Sequence, residues 1–191
     1  MHLELVTPPA AEPLSLAEGK AHLRATGTDE DALITRLLAA ARRQVEAVTR
    51  RRLITQSWRI YFDAFPGSAD LVLPDVAPVS AISSMKYIDT SGVLQTVSSS
   101  VYQLVAEAPA RIVLAYDQTW PSERGDRDGV RVEVTAGYGA AGNNVPEDIL
   151  AAQLLILGHL YEHREDVGDF EIHQIPAGAQ ALLSPYVVPA F

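Results

Sequence analysis

No cysteine occurs among the 191 residues, which excludes disulfide scaffolds, Cys-ligated zinc, iron–sulfur clusters and thiol catalysis together. Nor is there an uninterrupted apolar run of the roughly 18 residues that a membrane span needs. The opening Met1-His2-Leu3-Glu4 lacks the basic start and apolar core of a secretory signal, so a soluble chain without a membrane partner, acting where it is made, is expected. Lysine is scarce: Lys20 and Lys86 are the only two, and the other 13 of the 15 basic residues are arginines. Positive charge is in deficit overall, with 24 acidic side chains giving a net charge of -9. Duplex-DNA readers gain most of their affinity by neutralising phosphates, so this balance argues against one.

The charge is unevenly placed. Residues 1–60 carry 9 basic against 7 acidic groups, a net of +2, and the remainder carries 6 against 17, a net of -11. Such asymmetry favours contacts between unlike faces, including head-to-tail contacts between copies of one chain.

Proline sets the first boundary. Thr7-Pro8-Pro9 through Pro13 cannot be helical and reads as an arm. Ser15-x-x-Glu18 has capping-box spacing and predicts a short helix to about Arg24, ended by Gly27. Asp29 reads as the next N-cap. Leu33, Leu37, Leu38, Ala41, Val45 and Val48 then recur at helical spacing, up to Arg50-Arg51-Arg52 at the electronegative helix end.

Beyond the arginines the pattern changes to strands: 57–62, 70–73, 82–88, 95–97, 102–105, 111–114 and 130–136, with Asp89-Thr90-Ser91-Gly92 as a hairpin turn. Proline punctuation makes them short and the sheet antiparallel or mixed. Residues 117–129 read as a polar loop leaving the compact body, with Trp120 and Tyr138 as packing aromatics. A second long helix starts at Pro146 and runs to about Arg164 with Leu and Ile in nearly every direction, so it must be surrounded by its own chain or by a neighbour. A short apolar helix follows at 177–184, then the tail Pro185-Tyr186-Val187-Val188-Pro189-Ala190-Phe191.

The expected fold is α+β: a helical bundle from the N- and C-terminal helices with a central antiparallel or mixed β insert. Its parts are an arm and helices in 1–53, the β insert in 54–136, and C-terminal helices and tail in 137–191 that pack with 14–53 as one bundle.

Two segments match chemical motifs. Gly137-Tyr138-Gly139-Ala140-Ala141-Gly142 has G-x-G-x-x-G spacing, but Asn143, Asn144 and Val145 intervene before the helix, and no strand with a ribose-binding acid can follow, so a Gly-rich turn is expected. His159-Leu160-Tyr161-Glu162-His163 has H-x-x-E-H spacing, with both histidines on one helical face. Its third ligand would have to come from Glu165, Asp166, Asp169, Glu171 or His173, in an apparent loop. A His pair near a helix end is the plainer reading. The cluster Arg42, Arg43, Arg50, Arg51, Arg52 and Arg59 reads as a solvated helix end, or as a site for nucleic acid or an acidic partner. No G-x-S-x-G elbow supports a serine nucleophile. The residues alone therefore point to an assembly protein.

The order of segments adds a resemblance. Pro13-Leu14-Ser15-Leu16-Ala17-Glu18-Gly19-Lys20-Ala21-His22-Leu23, then Asp31-Ala32-Leu33-Ile34 leading to Ala40-Ala41-Arg42, then Leu53-Ile54-Thr55-Gln56-Ser57-Trp58 resembles the longer head-tail connector (adaptor) proteins of long-tailed bacteriophages and related prophages or gene transfer agents. Leu73-Pro74 with Pro78-Val79, the Tyr87 to Gly92 hairpin, Ala136-Gly137-Tyr138-Gly139 before Val145-Pro146, Gly158 to Glu165, and Pro176 to Tyr186 continue it in order, over residues 13–186.

The resemblance implies no enzymatic activity and no cofactor, and it removes both motif matches, which fall within its structural pattern. It implies a ring, commonly dodecameric, in the neck of a virion or phage-like particle, made in the bacterial cytoplasm. There it would sit below the portal protein and offer a platform to a stopper or tail-completion protein, while DNA passes through unread. Tyr186, Val187, Val188 and Phe191 are the expected portal or neighbour contact, and Arg43, Arg50, Arg51 and Arg52 the expected inter-subunit basic patch. Arg50-Arg51-Arg52 stands where the family often ends its long helix with glycine. The alternatives are a small zinc-dependent hydrolase using His159 and His163, or a cytoplasmic binding module.

Overall fold

The computed structural model describes residues 1–67, 70–163 and 175–189. Its fold is α+β, and the chain divides into a helical unit, residues 11–54 and 138–187, and a β unit, residues 1–10, 55–137 and 188–191. The helical unit holds α1 (Leu16–Leu23), α2 (Asp31–Thr49), α3 (Glu147–Glu162) and α4 (Ala177–Leu183). The β unit holds β1 (His2–Thr7), β2 (Gln56–Phe62), β3 (Leu71–Val72), β4 (Val79–Ile88), β5 (Leu94–Thr96), β6 (Tyr102–Val105), β7 (Arg111–Leu114) and β8 (Val130–Ala136).

α1 begins as its spacing predicts. The Ser15 hydroxyl accepts the Glu18 N–H at 3.2 Å, and the Glu18 carboxylate accepts the Ser15 N–H at 2.7 Å. The helix ends at Arg24 in the left-handed region, with φ 56°. α2 starts one residue later than an Asp29 cap implies, with Glu30 at the cap position, because a turn closed from the Asp31 N–H to the Thr28 carbonyl takes that stretch. Lys20 ties the two helices together through Asp31 at 2.5 Å. At its far end α2 closes on Arg50, which adopts φ 56°, the conformation in which glycine is favoured after a helix.

Ile34, Leu38, Ala41 and Val45 of α2 are buried with Ile149, Ala152, Ile156 and Leu157 of α3, Ala179 and Leu183 of α4, and Leu14, Leu53, Ile54 and Val145 from the connections. Fully burying one such Leu or Ile contributes about 1.5–3 kcal/mol. Gly19 lets α1 approach, since a Cβ there would stand 3.2 Å from Leu38 and 3.4 Å from both Ile34 and Leu157. Gln153, also fully buried, donates from its side chain to the Leu38 carbonyl at 3.2 Å.

The polar groups of this unit fasten its ends. Arg42, with 12% of its side chain exposed, reaches Glu12 of the arm at 2.8 Å and Glu46 one turn along at 3.0 Å. The other oxygen of Glu46 accepts the Leu53 N–H at 3.0 Å, holding the chain as it turns out of α2.

In the β unit every strand pair is antiparallel, in a five-stranded sheet of order β1-β2-β8-β4-β5 and a three-stranded sheet of order β3-β7-β6. Central β8 buries Val130, Val132, Val134 and Ala136 and turns Arg131, Glu133 and Thr135 the other way, the period-two alternation of a strand covered on one face. On the polar face Arg59 bridges Glu4 and Glu133, each at 3.1 Å, across three strands. The Asp89 hairpin forms as expected: one carboxylate oxygen accepts the Ser91 and Val93 N–H groups at 2.9 Å each.

Residues 117–129 correct the expected excursion from the body. Trp120 stacks on Phe65 with ring centroids 4.9 Å apart, the backbone of Glu123 pairs antiparallel with that of Asp89 in an isolated β-bridge, and the Asp128 N–H donates to the Asp63 carboxylate at 3.0 Å. Asp117, Arg124 and Arg127 are exposed while the aromatic holds the segment to the unit.

Glu46→Ala leaves Arg42 with Glu12 alone and strands the Leu53 N–H, and should cost about 2 kcal/mol, with Glu46→Gln costing less, measured by urea unfolding. Hydrogen bonds from Ser15 hold the Glu18 carboxyl below its usual value, the Asp128 N–H does so for Asp63, and the Val93 N–H and then Gln95 do so for Asp89. A carboxyl lowered in the folded state stabilises above its unfolded pKa, and that stability is lost as pH falls through the folded one. The melting temperature should therefore drop on acidification below about pH 4, and a smaller drop in a Glu18→Gln/Asp63→Asn/Asp89→Asn variant checks the assignment by calorimetry.

Candidate functional site

The glycine segment is a packed turn. The Gly137 N–H donates to the Pro78 carbonyl at 2.9 Å. At Gly139 a Cβ would lie 2.4 Å from the Asn144 side chain, and at Gly142 it would lie 1.8 Å from the Pro13 carbonyl oxygen. These glycines admit close neighbours from the same chain. They do not open a helix either, since a single 3₁₀ turn, Gly142–Asn144, and then Val145 and Pro146 precede α3.

His159 and His163 lie side by side near the end of α3, ring centroids 4.5 Å apart, with His163 Nδ1 3.0 Å from the His159 carbonyl oxygen. His163 thus serves the helix terminus, where orphan carbonyls need partners. Among the described residues no group of three or more His, Cys, Asp or Glu could hold a metal ion. The further ligands weighed from sequence, Glu165, Asp166, Asp169, Glu171 and His173, lie outside the described residues.

The arginine cluster is distributed over several tasks. Arg42 is held by Glu12 and Glu46, and Arg59 by Glu4 and Glu133 in the β unit. Arg51 donates to the Tyr186 carbonyl at 2.7 Å and lies against Tyr138, whose hydroxyl pKa is raised, chiefly by burial. Arg50 and Arg52 are half-buried, and Arg43 is exposed. Of the proposed inter-subunit patch, Arg43 is the exposed member.

The C-terminal residues also separate. Tyr186 packs against the helical core, and its hydroxyl donates to Asp148 at 3.2 Å. Val188 is buried at 4% exposure and Val187 is open at 45%, while Phe191 lies outside the described residues. The Arg51–Tyr186 link joins positions 135 apart, which no local pattern reveals.

Along the outside of the helical unit runs a groove of about 610 Å³ lined by Glu12, Pro13, Leu14, Ser15, Glu18, Ala141, Gly142, Asn143, Glu147, Leu150, Ala151 and Leu154. Its floor is apolar and its rim acidic, a surface suited to a macromolecular contact.

If the histidines serve the helix end, added zinc should leave the melting temperature of the wild-type chain unchanged, and a His159→Ala/His163→Ala variant should respond identically. A zinc-dependent rise lost in that variant would mean that the pair holds metal.

Comparison with known proteins agrees with a reading as an assembly subunit. Residues 13–88 match the family described as "Phage gp6-like head-tail connector protein". No curated protein sequence matches the chain. Among solved structures, a chain from the neck of an empty gene transfer agent (GTA) particle, computed with C6 symmetry, is 29% identical with a TM-score of 0.83, covering 100% of this chain and 97% of that one. A chain of the virion of the native GTA particle gives 29% and 0.82, and one from the native neck computed with C12 symmetry gives 28% and 0.78, both with the same coverage. Over residues 13–88 the chain is similar to the head-tail connector family, and over its whole length it is similar to chains from the GTA particle and its neck.

Proposed function

We propose that this chain is a structural head-tail connector subunit, built to stand in a ring in the neck of a phage-like particle. The likeness to GTA neck chains carries this reading, because it extends over 100% of the chain at 29% identity and so includes both units. The family and the solved relatives are structural proteins of particle necks, and the described surface offers an apolar, acid-rimmed groove for a partner.

Within that reading the ring is cyclic and dodecameric, supported by the C12 symmetry of the native neck. It lies between portal and stopper or tail-completion proteins, and DNA passes through it unread. A net charge of -9 suits such a conduit, since an acidic wall does not hold the phosphate backbone. The basic patch of Arg43, Arg50, Arg51 and Arg52 faces a neighbouring subunit, chiefly through exposed Arg43. The tail of Tyr186, Val187, Val188 and Phe191 meets the portal or a neighbour, with Tyr186 and Val188 anchoring it to the chain and Val187 open for contact. Weak contacts repeated around a ring become firm by avidity.

The test is genetic and biochemical. Deleting the gene in a particle-producing strain should leave DNA-filled heads and free tails unjoined, restored by the wild-type gene. A chain lacking residues 187–191 should fold, by circular dichroism, yet be strongly depleted from purified particles. Normal joining without the gene would overturn the connector reading, and normal incorporation of the truncated chain would overturn the role of the tail.

A further inference from the structure

α3 carries apolar surface on two sides. Ile149, Ala152, Ile156 and Leu157 enter the core of the bundle. At about 100° per residue, Ala151, Leu154 and Leu155 fall on the outward side, Leu155 being bordered by Gly178 of α4, while Gly158 on the same side is approached by His22 of α1. Leu155 is 39% exposed, Ala151 is exposed, and Leu150 and Leu154 are half-buried. No Asp, Glu, Lys or Arg occurs between Asp148 and Glu162. The outward side of a lone bundle helix normally carries polar residues. Here the acid-rimmed groove runs beside it instead, with Leu150, Ala151 and Leu154 in its lining and Glu147 exposed at its edge.

α2 offers the complement. Ile34, Leu38, Ala41 and Val45 face inward, so Arg36, Arg43 and Ala47 share the outward side, all three exposed. The two arginines stand seven residues apart, about 10.5 Å along the axis. Arg42 between them is already taken by Glu12 and Glu46. Both helices send their inward residues to the same core, which directs the two outward faces to different sides of the bundle.

We propose that the outward face of α3 with its acid-rimmed groove in one copy receives the outward face of α2, with Arg36 and Arg43, from a second copy of this chain. Arginine stems cover the leucines while the guanidinium groups meet Glu147 and Glu18 at the rim, Glu12 being held by Arg42. Because the two surfaces are unlike, each copy uses both, and the contact repeats head to tail as a cyclic assembly requires. The inference rests on the connector reading and adds to it the helices that join neighbouring subunits.

The absence of native cysteine permits a direct test on the full chain. Ala47→Cys and Ala151→Cys, both at exposed positions, place one thiol on each surface. Under mild oxidation, in concentrated solution and in purified particles, the double variant should give a ladder of covalent multimers, and each single variant none. Adding Arg36→Glu and Arg43→Glu should reduce the ladder about tenfold or more, with the thermal melt unchanged. Dimers from a single variant at the yield of the ladder would show a self-paired face and overturn the proposal. No ladder, with both thiols reactive to maleimide, would overturn it too. Particles lacking the chain in the neck while the ladder still forms would remove the connector reading and leave the self-contact standing.

Discussion

The arrangement depends on α3, a helix with more apolar surface than one side of a bundle can cover. Its inward residues recruit the stripe of α2, the close approach of α1 at Gly19, and Ala179 and Leu183 of α4. Even the amide of Gln153 is drawn inside, where it donates to the Leu38 carbonyl. Hydrophobic burial is non-directional, so it accounts for the bundle forming but not for where its chain ends sit. The Glu12–Arg42–Glu46 system, with the Leu53 N–H on Glu46, supplies that direction. What remains of α3 faces outward, a cost to a monomer and a resource for an assembly.

The β unit solves a different problem. Its valine ladder on β8 supplies the buried face, and the opposite face is covered with charge, Arg59 bridging Glu4 and Glu133. Half-exposed ion pairs of this kind contribute little stability, and their value here lies in keeping an open sheet face wet. Tyr61 and then Glu133 hold the Arg59 guanidinium protonated well beyond its ordinary range, and the Tyr61 hydroxyl holds the Glu4 carboxyl low. Arg59 and Glu4 therefore keep their charges through the neutral range.

Where one physical rule dominates, the local sequence carries the structure. The Ser15-x-x-Glu18 spacing located α1, the Asp89-to-Gly92 turn located the β4–β5 hairpin, and alternation on Val130–Ala136 located β8. Elsewhere competing rules hid the answer. β1, His2–Thr7, has a mostly exposed pattern in which Leu3 alone packs against the core, so its pairing with β2 rather than its composition defines it. Ile34, fully buried at the centre of the α2 stripe, is absent from the run Leu33, Leu37, Leu38, Ala41, Val45 and Val48, because adjacent leucines blur the helical phase. The segment 117–129 looks solvated by charge count, yet Trp120 outweighs that by stacking on Phe65. The surfaces were the least legible. Which arginine is free and which apolar side is left uncovered depends on contacts between distant positions, such as Arg51 with Tyr186.

The central claim, that the chain is a neck subunit whose form serves assembly, is tested most directly by electron microscopy of purified particles that carry an epitope-tagged chain. The account predicts a ring of density between head and tail into which both units fit, with antibody against the tag at that level. Well-resolved necks without that density, and tag found only outside the particles, would contradict it.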